Sequence, residues 1–292
     1  MFSKILVCVD PVSPNPNLLL CASSLKQVGT AEVVLAHSIM CDSPGLEGML
    51  RSQAMPELER QKNILEKEGL DVTIATEIGQ PARTLNALAE SMDASVIVIA
   101  THGRSLLESI SLAGSPLGNV SAKLLQICRR PVLLIPSAMP AAEPGREAPN
   151  LFAHVLFPTD FSDTAEVALV YLETVINATH CPATLLRVLS GSRPASHSGR
   201  RLAELQNLDR NRLLRLKAWL ENKGSSEVDV DVVQGAPGEE IIRKAEAVNC
   251  SLILMGTQGK GLTQEILLGS VAHHVARHAK RPILFVPALH KL

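Results

Sequence analysis

Residues 256–271 read Gly-Thr-Gln-Gly-Lys-Gly-Leu-Thr-Gln-Glu-Ile-Leu-Leu-Gly-Ser-Val, a run whose glycine spacing could hold a phosphate. It leaves an apolar stretch, Leu252-Ile253-Leu254-Met255, that reads as a buried strand, and it closes on Gly269-Ser270 where a helical stretch begins. Glycines at a strand exit let backbone approach a ligand, because no Cβ intervenes and positive φ costs little. Amides at the following helix N-terminus carry partial positive charge, which suits an anion. The run is neither of the two commonest nucleotide signatures. A Walker loop needs Gly-Lys-Ser/Thr, and Lys260 is followed by Gly261. A dinucleotide fingerprint follows the first strand of its unit, whereas these glycines follow a late one. A glycine-rich turn with no ligand is the competing reading.

Other polar residues divide between chemistry and structure. Asp160 ends the run Val155-Leu156-Phe157-Pro158-Thr159 and could meet a ligand or cap the next helix. Ser162 and Asp163 are better placed to cap, which favours ligand contact for Asp160. Ser270 could cap its helix, donate to a phosphate, or do both. His273, His274 and His278 do not share one helical face, so a metal is not expected there. Arg277, Lys280 and Arg281 gather where a helix C-terminus favours cations. Trp219 reads as partly buried packing, His102 as a turn residue, and Met40 to Met55 as a loop entering a helix.

The elements that must position these residues occur twice. Lys4–Asp10 lies over His154–Asp160, and Gly118–Pro136 lies over Gly269–Pro287. Between them, Gly79–Gly103 lies over Gly235–Gly259 without a gap and with 8 of 25 positions identical. Three matches in one order mark a duplication. In the second copy, strands are expected near 153–159, 183–189, 227–233, 250–256 and 282–286, with helices near 163–178, 200–223, 238–248 and 269–280. Strand–helix alternation implies right-handed crossovers and a parallel sheet covered on both faces. Ligands bind such sheets beyond the strand carboxyl ends, at the switch point. If the first and fourth strands are neighbours, Asp160 and Gly256 face one crevice. Residues 137–150 carry three prolines and a glycine and read as a linker.

A length of 292 residues suits two domains, placed at 1–138 and 151–292, each able to bury a core. Aromatics make up 2% of the chain, so that core must be aliphatic. A net charge of −1 argues against a general nucleic-acid surface. Six scattered cysteines without Cys-x-x-Cys spacing fit a reducing cytosol better than disulfides or metal. No apolar run reaches the ~20 residues of a membrane span, and the N-terminus lacks a signal-peptide apolar region. A cytoplasmic protein with no membrane partner is expected.

These features together resemble the universal stress protein family, in a tandem form with two such domains in one chain. The resemblance rests on Val-Leu-Phe-Pro-Thr-Asp at 155–160, on Gly256-x-x-Gly259-(nine residues)-Gly269-Ser270, and on Arg281-Pro282-Ile283-Leu284-Phe285-Val286-Pro287. It implies two five-stranded parallel α/β domains of the Rossmann-like, adenine-nucleotide alpha-hydrolase-like type, related by a pseudo-twofold. It also implies ATP or AMP, with or without Mg, bound in the second domain. Carried over, Pro158, Thr159 and Asp160 meet the adenine, and Val188 lines its pocket. Backbone from Met255 through Gly256 to Gly259 approaches the ribose and phosphates, Lys260 adds charge, and Gly269, Ser270 and Val271 close around the phosphates. Single-domain members commonly pair through their last strands, so strands 131–135 and 282–286 are expected near such an interface, with homo-oligomers and dimers in view.

The first copy departs from the pattern. Ala100 replaces Gly256, adding a Cβ where backbone should approach ligand. From Gly103, ten residues precede Gly114-Ser115, whereas pairing Gly118-Asn119 with Gly269-Ser270 adds five residues to the loop. Pro116 removes a donor, and Asp10 is followed by Pro11. This copy is expected to bind nucleotide weakly or not at all.

Three functions follow. The first is a nucleotide-dependent stress regulator whose second domain senses ATP or AMP and acts on an unknown protein partner. The second is a slow ATPase or autophosphorylating enzyme, for which the cradle supplies only some of the required groups; no catalytic or metal-binding residue is assigned. The third is a scaffold whose first domain holds a protein or apolar ligand, prompted by Leu106, Leu107, Ile110 and Leu112 in the 104–117 loop.

Overall fold

The computed structural model describes residues 1–41, 45–101, 117–137, 139, 150–190, 199–259 and 268–288, with backbone alone at 199–202. Two compact units divide the chain, Met1–Asn150 and Leu151–Leu292. Each has the alternating strand–helix order that the duplication implies.

In the first unit the order is β1 (Lys4–Cys8), α1 (Pro16–Ser24), β2 (Glu32–Ile39), α2 (Glu47–Lys67), β3 (Asp71–Ile78), α3 (Pro81–Ser91), β4 (Val96–Ala100), α4 (Asn119–Ile127) and β5 (Val132–Ile135). Its strands run parallel in the order β3-β2-β1-β4-β5. The second unit continues with β6 (Val155–Pro158), α5 (Asp163–Thr179), β7 (Ala183–Leu189), α6 (Gly199–Asn222), β8 (Val228–Gln234), α7 (Pro237–Ala247), β9 (Leu252–Gly256), α8 (Ser270–His278) and β10 (Ile283–Val286). Its parallel order is β8-β7-β6-β9-β10.

The inner strands are aliphatic because helices cover both faces of each sheet and leave no polar side. All four residues of β10 and the first four of β9 are buried. Helix α5 begins where the Ser162 hydroxyl accepts from the Ala165 N–H at 3.3 Å, with Asp163 and Glu166 in its positive first turn. It ends where His180 turns left-handed, at φ 53°. Helix α7 starts on Pro237, whose missing N–H costs nothing there. Its Gly238 meets α8 closely, since a Cβ would sit 2.6 Å from the His274 ring.

The described leucines of the long helix α6 differ in burial. Leu213 and Leu220 are inaccessible, while Leu205 and Leu208 stand exposed. Trp219 is half-buried, with the Lys223 ammonium 5.6 Å above its ring. Five of the six cysteines are buried, and burial raises the Cys21 and Cys250 thiols to about 12 and Cys128 to about 11. They behave as small apolar side chains. Among the described residues no helix is long and apolar enough to cross a membrane.

Candidate functional site

In the second unit β6 pairs with both β7 and β9, so the strand order reverses beside β6. The crevice at that switch point is where a doubly wound sheet offers its ligand site. A cavity of about 370 Å³ opens there. Pro158, Thr159 and Asp160 leave β6 into its floor, Val188 enters from β7, and Met255, Gly256 and Gly259 come from β9 and its exit. Gly269, Ser270 and Val271 complete the wall at the start of α8. Ten of the eleven residues singled out from the sequence therefore line one cleft. Lys260 lies outside the described residues.

Local geometry explains how each is held. The Thr159 N–H donates to Leu186 O at 2.9 Å, extending the sheet by one residue. The chain then turns sharply. The Phe161 N–H donates to Thr159 Oγ1, the Ser162 N–H donates to Asp160 Oδ1, both at 3.0 Å, and Phe161 adopts φ 57°. A bulky residue at positive φ is strained and persists only where its surroundings fix it. Asp160 thus holds the turn while still facing the cleft. The cap of α5 itself is Ser162.

The glycines also answer to packing demands. None of Gly256, Gly259 and Gly269 is among the positive-φ residues. A Cβ on Gly256 would lie 2.8 Å from Thr164 Cγ2 and 3.2 Å from the Thr164 backbone, so this glycine admits the first turn of α5 against β9. Helix packing is thus a demand on this glycine beside the expected ligand approach. A Cβ on Gly259 would lie 2.9 Å from Asp160 Oδ2, so this glycine leaves space for the carboxylate. Gly269, at φ −75° and ψ 162°, is the N-cap of α8 and offers no side chain to its first turn. Ser270 is therefore the first helical residue and not the cap, and it is exposed at the cleft. The uncapped first turn gives the cleft its anion-attracting end.

Thr257 and Gln258, within the Met255–Gly259 backbone expected at the ligand, also line the cleft, whereas the sequence reading missed Arg187 and, from α7, Pro237 and Ile241. Arg187 was visible as a lone charge inside Leu185-Leu186-Arg187-Val188, an anomaly in a covered strand. Its Nε donates to Asp209 Oδ2 at 2.8 Å, and its guanidinium lies 5.7 Å from the Phe161 ring centre. Thr257 donates its N–H to Val286 O at 2.9 Å and accepts from Gly269 N–H at 2.7 Å. Its buried hydroxyl has no partner among the described residues. Asp160 is the one acid among the described lining residues, and no metal-binding cluster of His, Cys, Asp or Glu occurs among the described residues.

The first unit repeats part of this frame. Gly118 caps α4 and its N–H donates to Thr101 O at 2.7 Å, as Gly269 does to Thr257. Gly118 is thus the counterpart of Gly269, which decides between the two alignments. Asp10 Oδ1 accepts from the Val12 N–H at 3.0 Å. The Thr101 hydroxyl is engaged with Ser137, whereas the position matching Ser137 in the second unit is Ala288. His102, Gly103, Gly114, Ser115, Pro116 and the apolar residues 106–112 lie outside the described residues.

Comparison with known proteins agrees with this geometry. A model of the universal stress protein family matches residues 1–136 and again 152–287. A universal stress protein of Methanocaldococcus jannaschii is 31% identical over 155 residues, covering 47% of this chain and 95% of that protein. One from Mycolicibacterium smegmatis is 26% identical over 216 residues, 74% of this chain and 69% of its own. Among solved structures, a universal stress protein from Archaeoglobus fulgidus is similar with a TM-score of 0.71 at 23% identity, covering 97% of this chain and 95% of that one. That likeness speaks to the fold.

Proposed function

Because the chain belongs to the universal stress protein family, we propose that its second unit binds ATP or AMP and acts as a nucleotide-dependent regulator. One observation carries the reading. At the β6–β9 switch point, the uncapped start of α8, the Gly256–Gly259 exit and Asp160 converge on a single cavity of about 370 Å³. Helix N-terminal amides suit phosphate, and the walls from Val188, Ile241 and Met255 suit a base. The first unit takes no nucleotide in this reading. A regulatory rather than enzymatic role is supported by Asp160 being the one acid lining the described cleft, since phosphoryl transfer calls for more. A cytoplasmic setting, self-association and a protein partner belong to the same proposal.

Calorimetric titration with ATP and with AMP, with and without magnesium, tests it. The expected result is one site per chain. Gly259→Asp should abolish it, because a carboxylate built there would press against Asp160 Oδ2. Far-UV circular dichroism checks that the variant is folded. Absence of binding by both nucleotides would overturn the reading, and two equivalent sites would overturn the inactivity of the first unit.

A further inference from the structure

The turn after β6 straddles the sheet. Asp160 lines the cavity, whereas the Phe161 ring lies beneath two guanidinium groups on the side of α6. Leu186 and Val188 line the cavity, and strand alternation sends the Arg187 side chain between them to the opposite face. There Arg187 Nε donates to Asp209 Oδ2 at 2.8 Å, and its guanidinium stands 5.7 Å from the Phe161 ring centre. Arg212, one turn further along α6, stands 4.7 Å from the same centre. The Arg187 and Asp209 side chains are only 17% and 15% exposed, so this pair is well fixed. The cluster clasps the turn against β7 and α6.

Ring packing alone does not account for the backbone beneath it. Four described residues other than glycine have positive φ: Asp93, Phe161, His180 and Asn249. Three of them follow helices α3, α5 and α7, where a left-handed residue is an ordinary stop. Phe161 is the one of the four that follows a strand, and φ 57° is costly for so bulky a residue. Starting the next helix does not require it. In the first unit Asp10 Oδ1 accepts from Val12 N–H at 3.0 Å, the same contact that Asp160 Oδ1 makes with Ser162 N–H. The intervening residue there is Pro11, whose ring holds φ near −65°. What the left-handed residue adds is direction. Its ring goes to α6 while the second carboxylate oxygen, Asp160 Oδ2, faces the glycine exit, 2.9 Å from where a Cβ on Gly259 would stand.

We propose that Phe161 is a positioning residue for the ligand cleft, its ring clasped by Arg187 and Arg212 so that the Asp160 carboxylate is held at the cavity floor. The proposal rests on the nucleotide reading of the same cleft for its ligand, but not for its geometry. Asp209 acts at one remove, fixing the Arg187 guanidinium through Nε.

The test is calorimetric titration of the full chain with ATP and magnesium, joined by amide hydrogen exchange without ligand. The proteins are the wild type, Phe161→Tyr, Phe161→Gly and Arg212→Met. Glycine adopts positive φ without strain, so Phe161→Gly removes the anchor and not the backbone shape. It should weaken ATP roughly five- to 30-fold, the cost of fixing one residue's backbone anew. Arg212 is exposed and outside the cavity lining, so Arg212→Met should fold. It should weaken ATP roughly two- to fivefold, the range of one exposed cation–π contact, and Phe161→Tyr, which keeps the ring, should change it less. In an Asp160→Ala background the Phe161→Gly loss should disappear, because no carboxylate is left to position. The Phe161 and Ser162 amides donate to Thr159 Oγ1 and Asp160 Oδ1. Exchange protection at residues 161 and 162 should fall by the same factors in Phe161→Gly and Arg212→Met, with the middle of α5 unchanged. The inference is overturned by unchanged protection at both amides, by unchanged ATP affinity in Phe161→Gly, or by a loss that persists undiminished without Asp160. If the wild type binds no ATP and protection falls as expected, the clasp stands and the nucleotide reading falls alone.

Discussion

Gly256→Ala separates two explanations of the same glycine. If the missing Cβ exists for a ligand, the substitution should lower nucleotide affinity and leave the folded unit intact. If it exists for α5, the substitution should destabilise the unit. The Cβ would sit 2.8 Å from Thr164 Cγ2 and 3.2 Å from the Thr164 carbonyl carbon and oxygen. A methyl can rotate away, but the backbone of a packed helix turn cannot. Overpacking of this kind costs about 1–3 kcal/mol. Replacing glycine with alanine also restricts the unfolded chain, which offsets about 0.4–1 kcal/mol of that. The net expectation is a loss of about 1–2 kcal/mol. Trp219 is the chain's one tryptophan and sits on α6, so urea unfolding followed by its fluorescence reports the second unit. With a urea slope of about 1–3 kcal/mol/M, the midpoint should fall by about 0.3–2 M. Thr164→Ser removes the Cγ2 contact but not the backbone ones, so in the double variant it should restore part of the loss. An unchanged or raised midpoint together with weaker ATP binding would refute the packing argument.

Two further outcomes follow from polar groups. Thr257→Val should be neutral within about 0.5 kcal/mol, because it deletes a buried hydroxyl that has no partner among the described residues. Thr101→Val should cost about 0.5–1.5 kcal/mol, since Thr101 Oγ1 accepts from Ser137 N–H at 2.9 Å; calorimetric melting of both variants compares them, and equal effects would contradict the contrast between the units. Burial, the leading cause in each case, holds the His37, His154 and His273 imidazoles below the ordinary value of 6.5. The unfolded chain then binds more protons, so this contribution is fully present above pH 6.5 and is lost as pH falls below it. Urea midpoints should drop between pH 7.5 and 5.5, less so in His154→Gln, and a flat profile would count against the assignment.

Much of the fold was legible because parallel strands covered on both faces must be apolar runs. β7 and β9 declare themselves as Ala-Thr-Leu-Leu-Arg-Val-Leu and Leu-Ile-Leu-Met. The observed elements begin and end close to the expected limits, and the structure supplies the strand order that the sequence left conditional. The phosphate side of the cleft was equally visible, since its residues are neighbours in sequence. Arg187 was not, because its placement depends on Asp209, a turn of α6 far along the chain. Thr164's claim on Gly256 was hidden for the same reason. The cap of α8 was missed by one residue because Ser is a far commoner side-chain cap than an extended glycine, and the structure chose Gly269. In α6, period alone could not show that Leu205 and Leu208 lie beyond the sheet's cover.

The glycine fingerprint of the second unit is thus a composite of unlike demands. Gly256 answers to the packing of α5. Gly269 has a counterpart in Gly118, where a Cβ would collide with the Thr101 carbonyl oxygen, so that position answers to the strand–helix junction present in both units. Gly259 alone among the three borders the Asp160 carboxylate inside the cleft. Gly269 would therefore be required in this fold with or without a ligand, whereas the first unit carries Ala100 in place of Gly256. A match to their spacing speaks first for the scaffold and only through Gly259 for the site. The weight of a ligand argument consequently falls on features that packing does not explain: an α8 start without a side-chain cap and a cavity at the switch point. It follows that Gly256→Ala and Gly259→Asp should fail differently, the first in urea and the second in the calorimeter. Were both to lose stability alone, the cleft would be a consequence of the fold and not a binding site.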